Sequence, residues 1–301
     1  MRMNANPATQ TALETLPFRH WNTQPDANQA AQITAALERG KVLFLPQLAF
    51  DLTVDEQRFL SPQWSDGQAK NISYDPASAA IRHTSAVGND RAALAALMAR
   101  FAQQANELVL GLCPGYAGAL QFGLTSFRPI AVAGRVTSVT KDDSRLHIDA
   151  FASRPNQGQR ILRVFCNINP QQAPRTWELG EPFETVVAHF RTRIPPQWPA
   201  SAWLLHALGI TKGRRSAYDH VMLNLHDSAK RDDAYQRSSQ KQRVAFPSGS
   251  TWVVYTDLVM HAALDGQYLL EQTFYLPVTA MQDENRAPLR ILENTLQREL
   301  V

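Results

Sequence analysis

The feature that most constrains the fold is a series of short apolar runs between residues 120 and 276, each ended by Gly, Pro or a polar cluster. Runs such as "ILRVFCNIN" and "TWVVYTDLV" are rich in strand-forming residues and are typical of antiparallel strands joined by turns. A helical stretch interrupts them at about residues 181–240. This order is not the strand–helix alternation of a doubly wound sheet. It favours an α+β protein with a jelly-roll core and flanking helices.

Helical patterns precede these runs. In "ANQAAQITAALERG" apolar residues recur at helical spacing, and Gly40 can end the helix. A longer helix is predicted for "DRAALAALMARFAQQANELVLGL", with Asp90 as its N-cap. We divide the chain into a polar N-terminal arm, residues 1–25, and one domain, residues 26–301, which carries the helical insertion.

Charge and apolar patterning exclude several classes of protein. The 30 basic and 27 acidic residues leave a net charge of +3, which is no signature of nucleic-acid binding. No apolar run approaches the roughly 20 residues that span a bilayer, and no glycine-rich phosphate-binding motif is present. The two cysteines are expected to be buried free thiols. The sequence therefore predicts a cytoplasmic protein that does not bind nucleic acid, and it leaves peripheral membrane contact open.

The stretch "SRLHIDAFASRP" contains a candidate metal motif. In a strand, His147 and Asp149 would lie on the same face because side chains alternate. Many strands contain H-x-D by chance, so the pattern also fits a polar strand edge. A third ligand is expected on a distant strand, and His261, which follows the apolar run "TWVVYTDLV", meets that description. The histidines of the predicted insertion helices are interpreted as surface or packing residues: His189, His206, His220 and His226.

Two histidines and one carboxylate form a facial triad, which is typical of non-haem Fe(II) oxygenases. Such a triad leaves positions open on an octahedral ion for dioxygen and a bidentate co-substrate, whereas a closed tetrahedral site would exclude both. His147, Asp149 and His261 are therefore predicted to be the metal ligands and the catalytic centre.

The next strand, "QRILRVFCNINP", has one apolar and one mixed face. The mixed face contains Arg163, Phe165 and Asn167. An arginine there can bind a carboxylate through two parallel hydrogen bonds. The alternative is that Arg163 lies on a solvent-exposed face.

Together, "LHIDAFASRP", "QRILRVFCNINP", "TWELGEPFE" and "VMHAALDGQYLLEQTFYLP" resemble the Kdo 3-hydroxylases of Gram-negative bacteria, from about residue 25 to residue 285. These are Fe(II)- and 2-oxoglutarate-dependent dioxygenases. The resemblance implies a double-stranded β-helix core, Fe(II) bound by the three ligands above, and 2-oxoglutarate and O2 as co-substrates. It implies hydroxylation of the Kdo sugar at C3 in a Kdo-containing lipid A precursor of lipopolysaccharide, giving Ko.

The resemblance also directs attention to the 2-oxoglutarate anchor. Many relatives have a basic residue shortly after the distal histidine, but Gln272 stands in that region here. We therefore expect Arg163 to bind the co-substrate carboxylate, with Arg160 as the reserve candidate. Additional hydrogen bonds are expected from Gln272, Thr273 and Asn167.

An anionic acceptor calls for basic residues at the cavity mouth. The predicted substrate-binding residues surround the H-x-D motif: Arg128, Arg135, Lys141, Arg145 and Arg154. Such an acceptor also makes peripheral contact with the inner face of the inner membrane an open expectation. Two alternatives stay open: a 2-oxoglutarate oxygenase of another small molecule or a protein, and a non-catalytic sugar-binding jelly roll.

Overall fold

The structure is a computed structural model that describes residues 12–132, 134, 137–198 and 201–301. Residues 1–11 of the predicted N-terminal arm lie outside the described residues. So does Arg135, one of the predicted substrate-binding residues. The division of the chain into an arm and one domain stays a prediction.

Eleven strands and seven helices make up the regular structure of the described residues. The strands are β1 (Leu13–Thr15), β2 (Val42–Leu45), β3 (Ile72–Asp75), β4 (Ala80–Arg82), β5 (Gln121–Arg128), β6 (Arg160–Asn167), β7 (Arg175–Leu179), β8 (Gln242–Phe246), β9 (Thr251–Tyr255), β10 (His261–Asp265) and β11 (Leu269–Leu276). The helices are α1 (Ala27–Glu38), α2 (Gly88–Leu112), α3 (Phe183–Phe190), α4 (Ser201–Ala207), α5 (Ala217–Arg231), α6 (Asp233–Ser238) and α7 (Pro288–Leu296).

The strands form two sheets. The larger sheet has the order β1-β2-β9-β6-β11-β5-β3-β4, and the smaller sheet has the order β10-β7-β8. All pairings except that of β1 with β2 are antiparallel. The expectation of antiparallel strands in an α+β fold is confirmed.

Strand β6 lies near the middle of the larger sheet, where it pairs with β9 and β11. Leu162, Val164 and Cys166 point into the main core, towards the helical layer, while Phe165 points into a second apolar cluster between the sheets. In that second cluster Trp252 stacks on Phe246, with ring centroids 4.0 Å apart. One strand thus separates the structural core from the interior of the jelly roll.

The sequence predicted the end of α1 correctly but not the start of α2. Asp26 caps α1 through a 2.9 Å hydrogen bond from the Gln29 N–H, and Gly40 follows that helix with a φ of 84°. Helix α2 begins at Gly88, so the prediction of Asp90 as N-cap is wrong. Asp90 lies instead in the first turn, where a negative charge is still favourable, and it pairs with Arg58.

Helices α3 to α6 lie between β7 and β8 in the chain. The Ser216 side chain starts α5 with a capping box in which Asp219 bonds back to the Ser216 N–H. Both cysteines are buried free thiols, as expected. Within the described residues, no helix combines the length and apolarity needed to cross a membrane.

Candidate active site

His147, Asp149 and His261 lie together at one end of the space between the sheets. All three are buried, and a ligand atom from each lies within 4.8 Å of the other two. The backbone fixes this arrangement, because His147 and His261 form an antiparallel bridge with N–H···O distances of 3.0 and 2.9 Å. The Asp149 N–H donates to the Thr256 carbonyl at 2.7 Å. The structure therefore brings the three predicted metal ligands into one cluster.

The histidine tautomers are set by backbone carbonyls. Nδ1 of His147 lies 2.8 Å from the Arg145 carbonyl oxygen, and Nδ1 of His261 lies 2.8 Å from the Val259 carbonyl oxygen. A carbonyl only accepts, so each Nδ1 carries the proton and each Nε2 keeps a lone pair. This is the tautomer that binds a metal through Nε2.

The protonation states of the cluster favour a cation. Burial lowers the pKa of His147 well below its ordinary value, and it also lowers the pKa of His261. Burial alone would raise the pKa of Asp149, but its charged surroundings, the Arg163 guanidinium first among them, lower that pKa. Two neutral imidazoles and one carboxylate are therefore ready to bind a divalent ion without first releasing protons.

Arg163 links the cluster to the sheet behind it. Its guanidinium lies 3.0 Å from Oδ2 of Asp149 and 3.0 Å from Oε1 of Glu271. Glu271 is also paired with Arg128, which lies 3.7 Å from Asp143. This chain of alternating charges compensates each buried group and holds Asp149 in one orientation.

The cluster forms one wall of a cavity of about 450 Å³. Trp177 stacks on the His261 ring at a centroid distance of 5.1 Å. Cationic side chains dominate the rest of the polar wall, namely Lys70, Arg128, Lys141, Arg163, Arg175 and Lys230, against Asp143, Asp149 and Asp227. A cavity of this size and charge suits small anionic ligands.

Helix α5 supplies a wall that sequence analysis did not predict. Leu223, His226, Asp227 and Lys230 recur at i, i+3, i+4 and i+7, so one helix face covers the cavity. The His226 ring meets the His147 ring edge-on, with centroids 5.5 Å apart. His226 therefore does pack, as expected, but it packs on a metal-ligand candidate. The i to i+7 spacing of these four residues was the sequence signal that could have predicted this wall.

Arg175 is the second residue that sequence analysis missed. It is buried on β7, lines the cavity, and donates from Nη1 to the Gly266 carbonyl at 3.0 Å. Arg175 and Trp177 stand two residues apart in "RTWEL", so strand alternation places them on the same face. Strand alternation was therefore the sequence signal that could have placed Arg175 in the cavity wall.

Two of the predicted 2-oxoglutarate contacts face away from the cavity. Arg160 lies three residues from Arg163, on the opposite face of β6, where it pairs with Asp257 at 2.8 and 3.2 Å. Gln272 opposes Val164 on the same face as Arg160, and its Oε1 accepts from the Thr125 hydroxyl at 2.6 Å. Neither side chain can reach a ligand at the cluster, so both expectations are corrected.

Of the five predicted contacts, Arg163 lines the cavity, whereas Thr273 and Asn167 lie on the correct side of the sheet but outside the described cavity wall. Thr273 opposes Arg163 on β11. The Asn167 side chain donates to the carbonyls of Ala173 and Phe246 at 3.0 and 3.1 Å. Asn167 therefore serves the packing of the loop that leads to β7.

The predicted substrate residues divide into two groups. Arg128 and Lys141 line the cavity. Arg145 does not, because its guanidinium pairs with Asp233 and donates to the Lys230 carbonyl. Arg154 lines a separate, neighbouring cavity.

Comparison with known proteins places the chain in a family. The family model for 3-deoxy-D-manno-oct-2-ulosonic acid (Kdo) hydroxylase matches residues 20–299. No curated protein matched the chain. The chain belongs to the Kdo hydroxylase family.

Solved structures of the Kdo hydroxylase KdoO, a non-heme Fe(II) alpha-ketoglutarate-dependent dioxygenase, are similar over nearly the whole chain. The complex with alpha-ketoglutarate and Fe(III) shares 44% identity over 96% of this chain and 97% of that one, with a TM-score of 0.93. The cobalt(II) complex shares 45% identity with the same coverage and a TM-score of 0.94. The succinate and Fe(III) complex shares 44% identity, again with the same coverage, and its TM-score is 0.93. These matches confirm the predicted jelly-roll fold.

Proposed function

We propose that this Kdo hydroxylase family member is an Fe(II)- and 2-oxoglutarate-dependent dioxygenase that hydroxylates C3 of Kdo in a Kdo-containing lipid A precursor, giving Ko. The observation that carries the proposal is the buried cluster of His147, Asp149 and His261, with both Nε2 atoms free to bind a metal, inside a cavity lined by cations. The function of the similar KdoO supports the same activity.

The residues of the cluster fit Fe(II). Two imidazole nitrogens and one carboxylate oxygen are the donor set of non-haem iron oxygenases. The metal, when bound, supplies the oxygen chemistry that side chains cannot provide. The protein's part is to hold these donors in place through the carbonyls of Arg145 and Val259 and through Arg163.

We place the 2-oxoglutarate carboxylate against the guanidinium groups of the inner cavity wall. Arg163 is the predicted anchor, and it lines the cavity beside Asp149. Arg175 supports the same role, since it is buried in the same wall. A guanidinium can bind a carboxylate through two parallel hydrogen bonds, which fixes the orientation of the co-substrate.

The acceptor sugar is proposed to enter from the side of the cavity that carries Lys70, Arg128 and Lys141. These cations attract the carboxylate of a sugar acid. Helix α5 and Trp177 close the remaining sides, so that the C–H bond to be hydroxylated is held near the cluster and shielded from water.

A lipid-linked acceptor would be met at a bilayer surface, and we propose a cytoplasmic protein in peripheral contact with the inner face of the inner membrane. Exposed apolar side chains close together in the chain support this contact: Trp198, Trp203, Leu208 and Ile210 are each more than half exposed. Basic residues follow directly in "KGRR", residues 212–215. Exposed tryptophans next to cations are typical of interfacial anchors on anionic lipid.

Two measurements test the enzymatic proposal. Succinate should form from 2-oxoglutarate in air with added Fe(II), and mass spectrometry should show one added oxygen on the Kdo unit of the acceptor. Succinate without any added oxygen on Kdo would redirect the search to another acceptor. Binding of the acceptor with no succinate formed would identify a non-catalytic binding module.

The membrane contact is tested by cosedimentation with vesicles of phosphatidylglycerol and phosphatidylethanolamine. Trp198→Ser/Trp203→Ser should lose vesicle binding. Val54→Ser/Val87→Ser is the matched control, because it also removes two exposed apolar side chains. Equal binding by both double variants would overturn the proposed contact surface.

A further inference from the structure

A second cavity, of about 410 Å³, lies beside the cavity of the His147, Asp149 and His261 cluster, which we call the metal cavity. Its wall contains Arg82, Arg154 and Lys212, together with His83, and Asp75 is the single carboxylate among the described lining residues. The aromatic rings of Phe122 and Tyr275 form part of the same wall. None of these residues belongs to the cluster of His147, Asp149 and His261.

The two cavities share a wall, which is the chain that follows Asp149. Phe151, Ala152 and Ser153 line the metal cavity, and the next three residues, 154–156, line the second one. Lys212 is held against this segment by a 2.9 Å hydrogen bond from its N–H to the Ser153 carbonyl. Only this short segment thus separates a ligand in one cavity from the other cavity.

Tyr275 on β11 also lies at this boundary. Burial raises the pKa of its phenol, and the charges of Arg163 and Arg154 oppose that rise. The phenol of Tyr275 therefore interacts electrostatically with one arginine from each cavity. Its ring forms part of the wall of the second cavity.

The charges of the second cavity are balanced differently from those of the first. In the metal cavity, Arg163 and Arg128 each lie within 4 Å of carboxylates. Within the described part of the chain, Arg82, Arg154 and Lys212 form no ion pair at that distance. Asp75 accepts from the Ala77 N–H at 3.1 Å, and the charge of Arg154 acts on it from beyond ion-pair distance, so this one carboxylate faces three cations. The second cavity thus carries an excess of positive charge that an anionic ligand would compensate.

We propose that the second cavity is an anion-binding subsite that takes a second acidic group of the acceptor, a phosphate or a sugar carboxylate, while the sugar to be hydroxylated occupies the metal cavity. This inference rests on the proposed function. Arg82, Arg154 and Lys212 bind the acidic group, and the rings of Phe122 and Tyr275 pack against the sugar that carries it. The subsite would select acceptors with two acidic groups over free Kdo.

The test compares Arg82→Ala/Arg154→Ala with Arg19→Ala. Arg19 is an exposed arginine next to β1, at the opposite edge of the larger sheet from β3 and β4. We expect the double variant to raise the KM for the Kdo-containing lipid A precursor by about 10-fold to 100-fold, the value of one or two charge-assisted hydrogen bonds. The kcat, the KM for 2-oxoglutarate and the melting temperature should stay near the wild-type values, and Arg19→Ala should change none of them.

A dephosphorylated acceptor separates the two sources of the acidic group. If a phosphate occupies the subsite, the wild-type KM rises for this acceptor and the double variant loses nothing further. If a sugar carboxylate occupies it, the double variant loses the same factor on both acceptors. An unchanged KM for both acceptors would overturn the proposal.

A binding measurement keeps the subsite testable apart from turnover. Inorganic phosphate, titrated into the full chain by calorimetry, should bind to the wild type and to Arg19→Ala, and binding should be lost in the double variant. Phosphate binding without Kdo hydroxylation would keep the subsite and reject the proposed function. Equal phosphate affinity in the wild type and the double variant would reject the subsite.

Discussion

Arg160 and Arg163 stand three residues apart on β6, and each pairs with an aspartate. The two side chains nevertheless lie on opposite faces of the larger sheet. Arg160 and Asp257 are fully buried on the helix side, with the guanidinium 3.7 Å from the centroid of the Tyr255 ring. Arg163 and Asp149 lie on the other face, at the wall of the metal cavity. The odd spacing alone separates them, since strand side chains alternate. The comparison teaches that the face of the strand decides whether an ion pair serves the fold or the site.

The largest expected effect comes from the aspartates. Asp149→Ala should abolish hydroxylation, because the cluster loses its only carboxylate donor, while Asp257→Ala should keep the donor set intact. The measurement is succinate formation with saturating Fe(II). An Asp149→Ala protein with full turnover would remove that residue from the metal centre.

On the helix side, the expected effect is on stability. Arg160→Met leaves Asp257 buried without its partner, and such a broken pair costs about 3–5 kcal/mol. Denaturant unfolding measures this loss. Arg160→Met/Asp257→Leu should recover most of the lost stability, since an apolar pair of similar volume often replaces a buried ion pair without cost. A double variant as unstable as Arg160→Met would contradict this account.

On the cavity side, Arg163→Lys keeps the charge but removes the fork that reaches Asp149 and Glu271 at once. We expect kcat/KM for 2-oxoglutarate to fall by about 10-fold to 100-fold, as for other partners of metal ligands. The melting temperature should change little, because Glu271 keeps Arg128. A large fall in melting temperature with unchanged kinetics would mean that Arg163 resembles Arg160 in role.

The smallest expected effect is the response of the metal-free protein to pH. The pKa of His147 is lowered in the folded state, so the unfolded chain binds the extra proton below the ordinary histidine pKa of about 6.5. Stability should therefore fall between pH 7.5 and 5.5, by about 1 kcal/mol for this histidine. His147→Asn should show a shallower fall in denaturant midpoint, whereas the exposed-residue control His20→Asn should follow the wild type. Identical slopes for both variants would contradict the lowered pKa.

Much of the fold could be predicted because its signals are local. The alternation of β6 assigned Phe165 and Arg163 to one face, and the helical spacing before Gly40 gave α1. H-x-D and a histidine after a distant strand were enough to propose the cluster. Each of these signals depends on a pattern within one element or on a residue at the end of one.

The rest of the site depends on how elements dock. A local pattern shows which residues share a face, but it does not show what that face covers. His226 and Lys230 reach the cavity only because α5 packs along one of its walls. Arg145 leaves the cavity because Asp233 of α6 lies close enough to pair with it. Arg160 and Gln272 had suitable chemistry, but the register of β6 and β11 turns both towards the helices.

The backbone bridge between His147 and His261 has a consequence for synthesis of the chain. The two residues are 261 − 147 = 114 positions apart, and α3 to α6 lie between them. At about 5–20 residues per second, a ribosome needs roughly 6 to 23 s to add the second histidine after the first. The nascent chain therefore carries an incomplete donor set throughout that interval. Iron held by these residues, as proposed above, would be bound only after β10 has left the exit tunnel.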